Sequence, residues 1–223
     1  MTGTRVLDPR VIDHTNLSAT ATSKDIESLC REAVEYGFAA VCLNPWHVRF
    51  AAGQLEGTAV KVAAVVGFPL GVTTSNVKAF EAEEAVRNGA EEIDLVINLA
   101  ALKEGLSRYV RDELFRVRDC TRGALLKVIL ETALLTNEEK RQAAGLARDV
   151  GADMVKTSTG FAGGATLEDV RLLKETVPEL GIKASGGIRD TAFALALLDA
   201  GAVRLGTSSA VKLLHKRKTN AAY

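Results

Sequence analysis

Residues 88–94, Asn88-Gly89-Ala90-Glu91-Glu92-Ile93-Asp94 (NGAEEID), decide the fold. A helical pattern ends at Asn88, a glycine follows, and an apolar run then begins that reads as a strand. The same join recurs as YGFAAV at 36–41, VGADMV at 150–155 and AGAVRL at 200–205. Glycine suits each join because it takes the left-handed cap conformation at little cost. Outward from these joins, short β-branched runs alternate with longer amphipathic stretches. The predicted strands are Val11–Thr15, Ala39–Leu43, Val60–Val66, Glu92–Ile97, Leu125–Leu130, Met154–Ser158, Ile182–Ser185 and Val203–Gly206. Most are near-continuously apolar, the pattern of parallel strands covered on both faces.

Between them lie predicted helices. Ser23–Tyr36 carries an apolar stripe of Ile26, Leu29, Ala33 and Val34, and Asn76–Asn88 and Thr136–Val150 repeat the design. Strands begin at intervals of roughly 20–35 residues, the span of one βα unit. Eight such units predict an α/β fold, a single-domain TIM (β/α)8 barrel, ahead of a doubly wound open sheet with eight parallel strands. Nothing divides the chain, so one domain over residues 1–223 is expected, with 215–223 a polar, basic, flexible tail.

Composition narrows the partners. The chain has 223 residues, 47% hydrophobic, 25% charged and 5% aromatic, with 28 basic residues balancing 28 acidic ones. That excludes a disordered chain and argues against nucleic acid or an anionic membrane, both usually met by a basic excess. No apolar run reaches the roughly 18 residues of a membrane span, and MTGTRVLDPR has no secretory signal pattern. Cys30, Cys42 and Cys120 are few, odd in number and widely spaced, which points to a reducing cytoplasm. His14, His47 and His215 are scattered, so neither a metal set nor any other cofactor is expected. Alternation turns His14 away from Asp13 and Thr15, as a structural histidine, and Cys42 reads as a small buried hydrophobe.

The anomaly is charge inside core strands. Asp94, Lys127, Lys156 and Lys183 stand on the fourth to seventh predicted strands, and a closed barrel brings them to a common axis. Alternation puts Lys156 with Ser158 and Lys183 with Ser185. Lysine and aspartate are rarely fully buried unless paired, so four together read as a functional cluster. Two lysines ~5 Å apart repel by roughly 3 kcal/mol at an effective dielectric near 20. That lowers one amine by about two pKa units, and burial adds to it. Such an amine can attack a carbonyl and form a Schiff base, with Asp94 handling the proton transfers. Lys127 has two readings, a pair with Glu131 or support for Asp94.

Glycine supplies the second signal. TSTGFAGGATLEDV, SGGIRD and LGTSSA follow the last three strands and lead toward helices, as phosphate-binding loops of this fold do. Ser208, Ser209 and Arg189 add side-chain donors. The expected substrate is a small phosphorylated carbonyl compound. Two rivals remain: a phosphosugar isomerase using acid–base chemistry alone, and a phosphate-ligand binder without catalysis. Borohydride trapping separates the first, and the cost of gathering buried charge weighs against the second.

Six motifs in register resemble the deoxyribose-phosphate aldolases, a family of class I aldolases, over nearly the whole chain. They are DHTNL at 13–17, VCLNP at 41–45, EIDLVIN at 92–98, VKTSTG at 155–160, KASGGIR at 183–189 and LGTSSA at 205–210. The resemblance implies reversible cleavage of 2-deoxyribose 5-phosphate to acetaldehyde and glyceraldehyde 3-phosphate. It assigns Lys156 the Schiff base, Lys183 the pKa-lowering neighbour and Asp94 the proton relay. Gly160, Gly186, Gly187, Arg189, Gly206, Ser208 and Ser209 become the phosphate pocket. Asp13, Thr15 and Thr159 become supporting or substrate-hydroxyl contacts, beside Lys127, which the strand pattern already places at the site. Some members carry Lys where this chain has Phe161, so Arg189 and backbone N–H groups must do more here. Members often end in a Tyr that folds over the site, and this chain ends in Tyr223. A homodimer, common among such barrels, is the expected assembly.

Overall fold

The computed structural model describes residues 6–215. Tyr223 and all of the expected tail except His215 lie outside the described residues. Eight parallel strands form a closed barrel in sequence order: β1 (Ile12–Asn16), β2 (Ala40–Leu43), β3 (Lys61–Val66), β4 (Glu92–Val96), β5 (Leu125–Ile129), β6 (Met154–Lys156), β7 (Gly181–Ser185) and β8 (Arg204–Thr207). Closure is made by β1 pairing with β8, Asp13 opposite Gly206, so the fold is the TIM barrel and not the open sheet. The helices are α1 (Ser23–Tyr36), α2 (Val48–Gln54), α3 (Ser75–Arg87), α4 (Leu99–Lys103), α5 (Ser107–Cys120), α6 (Asn137–Asp149), α7 (Leu167–Thr176), α8 (Thr191–Asp199) and α9 (Ala210–His215).

Local chemistry sets the helix ends. At α1 the Thr22 hydroxyl accepts from the Asp25 N–H while the Asp25 carboxylate accepts from the Thr22 N–H, a reciprocal cap that Thr136 and Glu139 repeat at α6. Gly37 ends α1 at φ 69°, a left-handed conformation that side chains resist. The predicted stripe of α1 buries Ile26, Leu29 and Ala33, whereas Val34 is turned toward solvent at the stripe's edge. His215 closes α9, and its Nε2 lies 2.6 Å from the Tyr36 hydroxyl, so the expected tail begins inside a helix.

Strand alternation sorts the core into two layers. Outward residues such as Val41, Leu43, Val62, Ile93, Leu95, Leu126, Val128, Val155, Ile182 and Leu205 pack against the helices. Burying such side chains contributes roughly 1.5–3 kcal/mol each relative to exposure, an upper estimate for a compact unfolded state. Inside the barrel, Ala40, Cys42, Ala63 and Val65 of β2 and β3 form a small separate apolar cluster. On the other strands Asp13, Glu92, Asp94, Lys127, Lys156 and Lys183 place buried charge inside the barrel. Trp46 is 88% exposed.

Candidate active site

Ladder register places the charged side chains together. Asp94 of β4 stands opposite Lys127 of β5, and Lys156 of β6 stands opposite Lys183 of β7. Two amines share one carboxylate oxygen: Asp94 Oδ2 accepts from Lys156 at 2.8 Å and from Lys183 at 2.7 Å. Its other oxygen, Oδ1, accepts from Lys127 at 2.6 Å. Lys183 also donates to Asp13 Oδ2 at 2.5 Å, and Arg204 of β8 holds Asp13 Oδ1 at 2.6 Å. Glu92 closes the network, 2.5 Å from Lys127 and 3.4 Å from Arg204. Four basic side chains thus meet three carboxylates, all but Arg204 buried and Arg204 only partly exposed. Buried charge is tolerated when paired and hydrogen-bonded, and every member of this network has two or more partners except Lys156, which pairs with Asp94.

Electrostatics fixes the charge states. Burial pushes the Asp94 carboxyl up, but Lys127, Lys156 and Lys183 overcome it and hold Asp94 well below the ordinary carboxylate range. Asp13, buried but facing Lys183, Lys127 and Arg204, is lowered to about 2. Burial pushes Lys183 down, and the Asp13 and Asp94 carboxylates reverse this, holding it well above an ordinary lysine. Lys127 is likewise raised, burial being outweighed chiefly by Asp94. At neutral pH Lys183 and Lys127 therefore rest as cations, and Asp94 and Asp13 as anions.

A cavity of about 640 Å³ opens at the C-terminal end of the strands, and Lys156 is the network lysine that lines it. Gly160, Gly186, Gly187, Arg189, Gly206, Ser208 and Ser209 all line the same cavity, with Thr15 and Thr159. Two loops interlock there through backbone. A Cβ at Gly186 would fall 2.9 Å from the Gly163 carbonyl oxygen and from Gly164 Cα, and Ala165 N–H donates to the Gly186 carbonyl at 3.1 Å. Glycine is thus required by close approach as well as by its φ of 86°. The Gly160 turn stands well ahead of α7, whose N-cap is Thr166, so its N–H groups belong to the loop and not to the helix terminus that the sequence suggested. The same holds at α8, where Asp190 already caps the end by accepting from Phe193 N–H at 2.9 Å.

Several expectations change. Asp13 does not line the cavity; it stands behind Lys183 as the anchor of that amine and of Arg204. Glu131 does not pair with Lys127. It is buried at φ 56°, left-handed, and accepts from the Thr159 hydroxyl and N–H, while Lys127 is taken by Asp94 and Glu92. Thr15 donates to the Asp13 carbonyl at 2.9 Å. His14 is only half satisfied: Nε2 meets Glu32 at 2.7 Å, Nδ1 is buried with no partner among the described residues, and both residues line the cavity. The Cys42 thiol, pushed up by burial, lies 3.8 Å from Asp94 Oδ2. Phe161 is 66% exposed at the cavity edge with its ring edge-on to Phe68. Glu92 and Arg204 belong to the network but not to the residues expected from sequence, although alternation puts Glu92 on the face of Asp94 and Arg204 on the face of Gly206. Among the described residues no three His, Cys, Asp or Glu side chains gather to hold a metal ion, and no helix is long and apolar enough to cross a membrane.

Comparison with known proteins agrees with this geometry. A family model described as "DeoC/LacD family aldolase" matches residues 10–215. A deoxyribose-phosphate aldolase of Streptococcus pneumoniae serotype 19F is 56% identical over 207 residues, 92% of this chain and 94% of that protein. One from Thermococcus kodakarensis is 54% identical over 211 residues, again covering 92% and 94%. Among solved structures, the tetrameric deoxyribose phosphate aldolase of Aeropyrum pernix superposes with a TM-score of 0.88 at 38% identity, covering 95% of this chain and 91% of that one.

Proposed function

The chain belongs to the DeoC/LacD family of aldolases, and from that premise we propose that it cleaves 2-deoxy-D-ribose 5-phosphate to acetaldehyde and D-glyceraldehyde 3-phosphate, reversibly, through a Schiff base on Lys156. One observation carries the assignment of the lysine: Lys156 is the network amine that reaches the cavity, and it shares Asp94 Oδ2 with Lys183. A Schiff base needs an amine that can reach the substrate carbonyl, and Lys156 is the network lysine placed to do so. The amine adds to the C1 aldehyde and loses water to give an iminium. Proton removal from the C3 hydroxyl then breaks the C2–C3 bond, releasing glyceraldehyde 3-phosphate and leaving an enamine. Protonation at C2 and hydrolysis return acetaldehyde and free Lys156. Asp94, held ionised among three lysines, orients Lys156 and relays these protons.

The phosphate is assigned to the backbone N–H groups of Gly160, Gly186, Gly187 and Gly206, with Arg189, Ser208 and Ser209 at the rim. Their position around one cavity supports this reading. Thr159 and Thr15 shape the wall, and Lys127 holds Asp94. We take the assembly to be a homodimer in the cytoplasm, a compartment that suits three free cysteines.

Borohydride reduction in the presence of acetaldehyde tests the mechanism. The protein should gain one ethyl group, located on Lys156 by peptide mass spectrometry. Label on another lysine, or none, would overturn the assignment.

A further inference from the structure

Most hydroxyls of the cavity wall are already engaged. Thr15 donates to the Asp13 carbonyl at 2.9 Å, Thr159 donates to Glu131, and Thr207 donates to the Ile188 carbonyl at 2.8 Å. Ser185 differs: it lines the cavity, is only 5% exposed, and its Oγ has no hydrogen-bond partner among the described residues. A buried hydroxyl without a partner is costly, so this position calls for a ligand atom that completes it.

Its place in the barrel says which atom. Ser185 follows Lys183 by two residues on β7, on the same inward face, roughly 6.6 Å further toward the C-terminal end. It immediately precedes the Gly186–Gly187 turn and stands opposite Gly206 of β8. A Cβ at Gly206 would fall 2.9 Å from Ser185 Oγ, so that glycine leaves the space the hydroxyl occupies. Ser185 thus lies between the amine layer and the loops assigned to phosphate. In a deoxyribose phosphate bound at C1 to Lys156, the group between the reacting carbons and the phosphate-bearing carbon is the C4 hydroxyl.

Resting on the Schiff-base reading above, we infer that the Ser185 hydroxyl hydrogen-bonds the non-reacting C4 hydroxyl of the substrate. This makes Ser185 a specificity residue for 2-hydroxylated, phosphorylated aldehydes in the synthetic direction. A site built to bond a hydroxyl rejects the analogue that lacks it.

The test compares wild type with Ser185→Ala in adding acetaldehyde to two acceptors, D-glyceraldehyde 3-phosphate and its 2-deoxy analogue, 3-oxopropyl phosphate. Ser185→Ala should lose about tenfold in kcat/KM on the hydroxylated acceptor and stay within about twofold of wild type on the deoxy one. Equal losses on both acceptors, or no loss on either, overturn the inference. Acetaldehyde–borohydride trapping is run on both proteins. Trapping at Lys156 in wild type but not in Ser185→Ala makes Ser185 a support for the lysine and overturns the specificity role. Failure to trap in wild type overturns the Schiff-base reading itself.

Discussion

Two regions of this protein bury lysines completely, and they behave in opposite ways. Outside the barrel, between α3 and α5, Lys78 pairs with Glu113 at 2.8 Å, both side chains wholly buried. Lys78 also donates to the Val96 carbonyl at 2.9 Å, and Glu113 accepts from Asn98 N–H at 3.1 Å. This pair fastens two helices to the end of β4. Burial outweighs the single pairing, leaving Lys78 below and Glu113 above their ordinary ranges. Inside the barrel Asp13, Asp94 and Lys183 each have two or more opposite neighbours, so pairing outweighs burial: Lys183 is held high, Asp13 and Asp94 low. A buried lysine is therefore no sign of chemistry by itself. Multiple carboxylate partners, like-charged neighbours and contact with a cavity distinguish the site.

The sharpest break in the comparison comes from deleting one lysine in each region. Lys156→Leu should lower retro-aldol kcat by at least ~10⁴-fold while the barrel stays folded, since Lys127 and Lys183 still neutralise Asp94. Activity within tenfold of wild type would remove Lys156 from the chemistry. Lys78→Met should instead cost stability, about 3–5 kcal/mol by urea titration, because Glu113 stays buried without its cation. The folded fraction should keep kcat within about twofold of wild type, and Lys78→Met with Glu113→Leu should recover most of the stability. A kcat that fell with stability would erase the distinction between the regions.

Lys183→Leu probes the like-charge neighbour. It should lower kcat about 100-fold, because Asp94 and Asp13 both lose a cation partner. A kcat within about twofold of wild type would reduce Lys183 to packing. The smallest effect is in the pH dependence of stability. Asp13, at about 2 in the fold, lies below its unfolded value near 3.9. Its contribution is present above that value and lost as pH falls toward 2. Glu113, raised in the fold, has the opposite sign: its contribution holds at low pH and is lost as pH rises through its folded pKa. Acid denaturation curves of Asp13→Asn should be flatter below about pH 4 than wild type, and those of Glu113→Gln should not.

Much of the site was legible because strands have a period of two. A lysine or aspartate within an apolar strand run stands out, and its neighbours two residues away share its face. Lys78 gave no such signal: on α3, within SNVKAFEAEEAVR, a lysine reads as a solvated helix position, and only the packing of α5 buries it. Glu92 and Arg204 sit at strand starts, where a charge ordinarily snorkels to water. Glu131 follows β5 directly, so its partner depended on a turn conformation that no pattern of residue types specifies.

The sequence by itself determined the alternation of eight strands and helices, the joins at their glycines and which side chains face the axis, because these follow from local periodicity and backbone preference. Tertiary structure alone decided the partners. Arg204 reaches Asp13 across 191 residues and Glu92 across 112, contacts that exist only because β8 closes against β1 and the barrel is narrow. It also decided that Lys156 faces the cavity while Lys183 and Lys127 stay behind it. Charge pairing depends on distance through a low-dielectric interior, and in this protein those distances are set by the closure of the barrel.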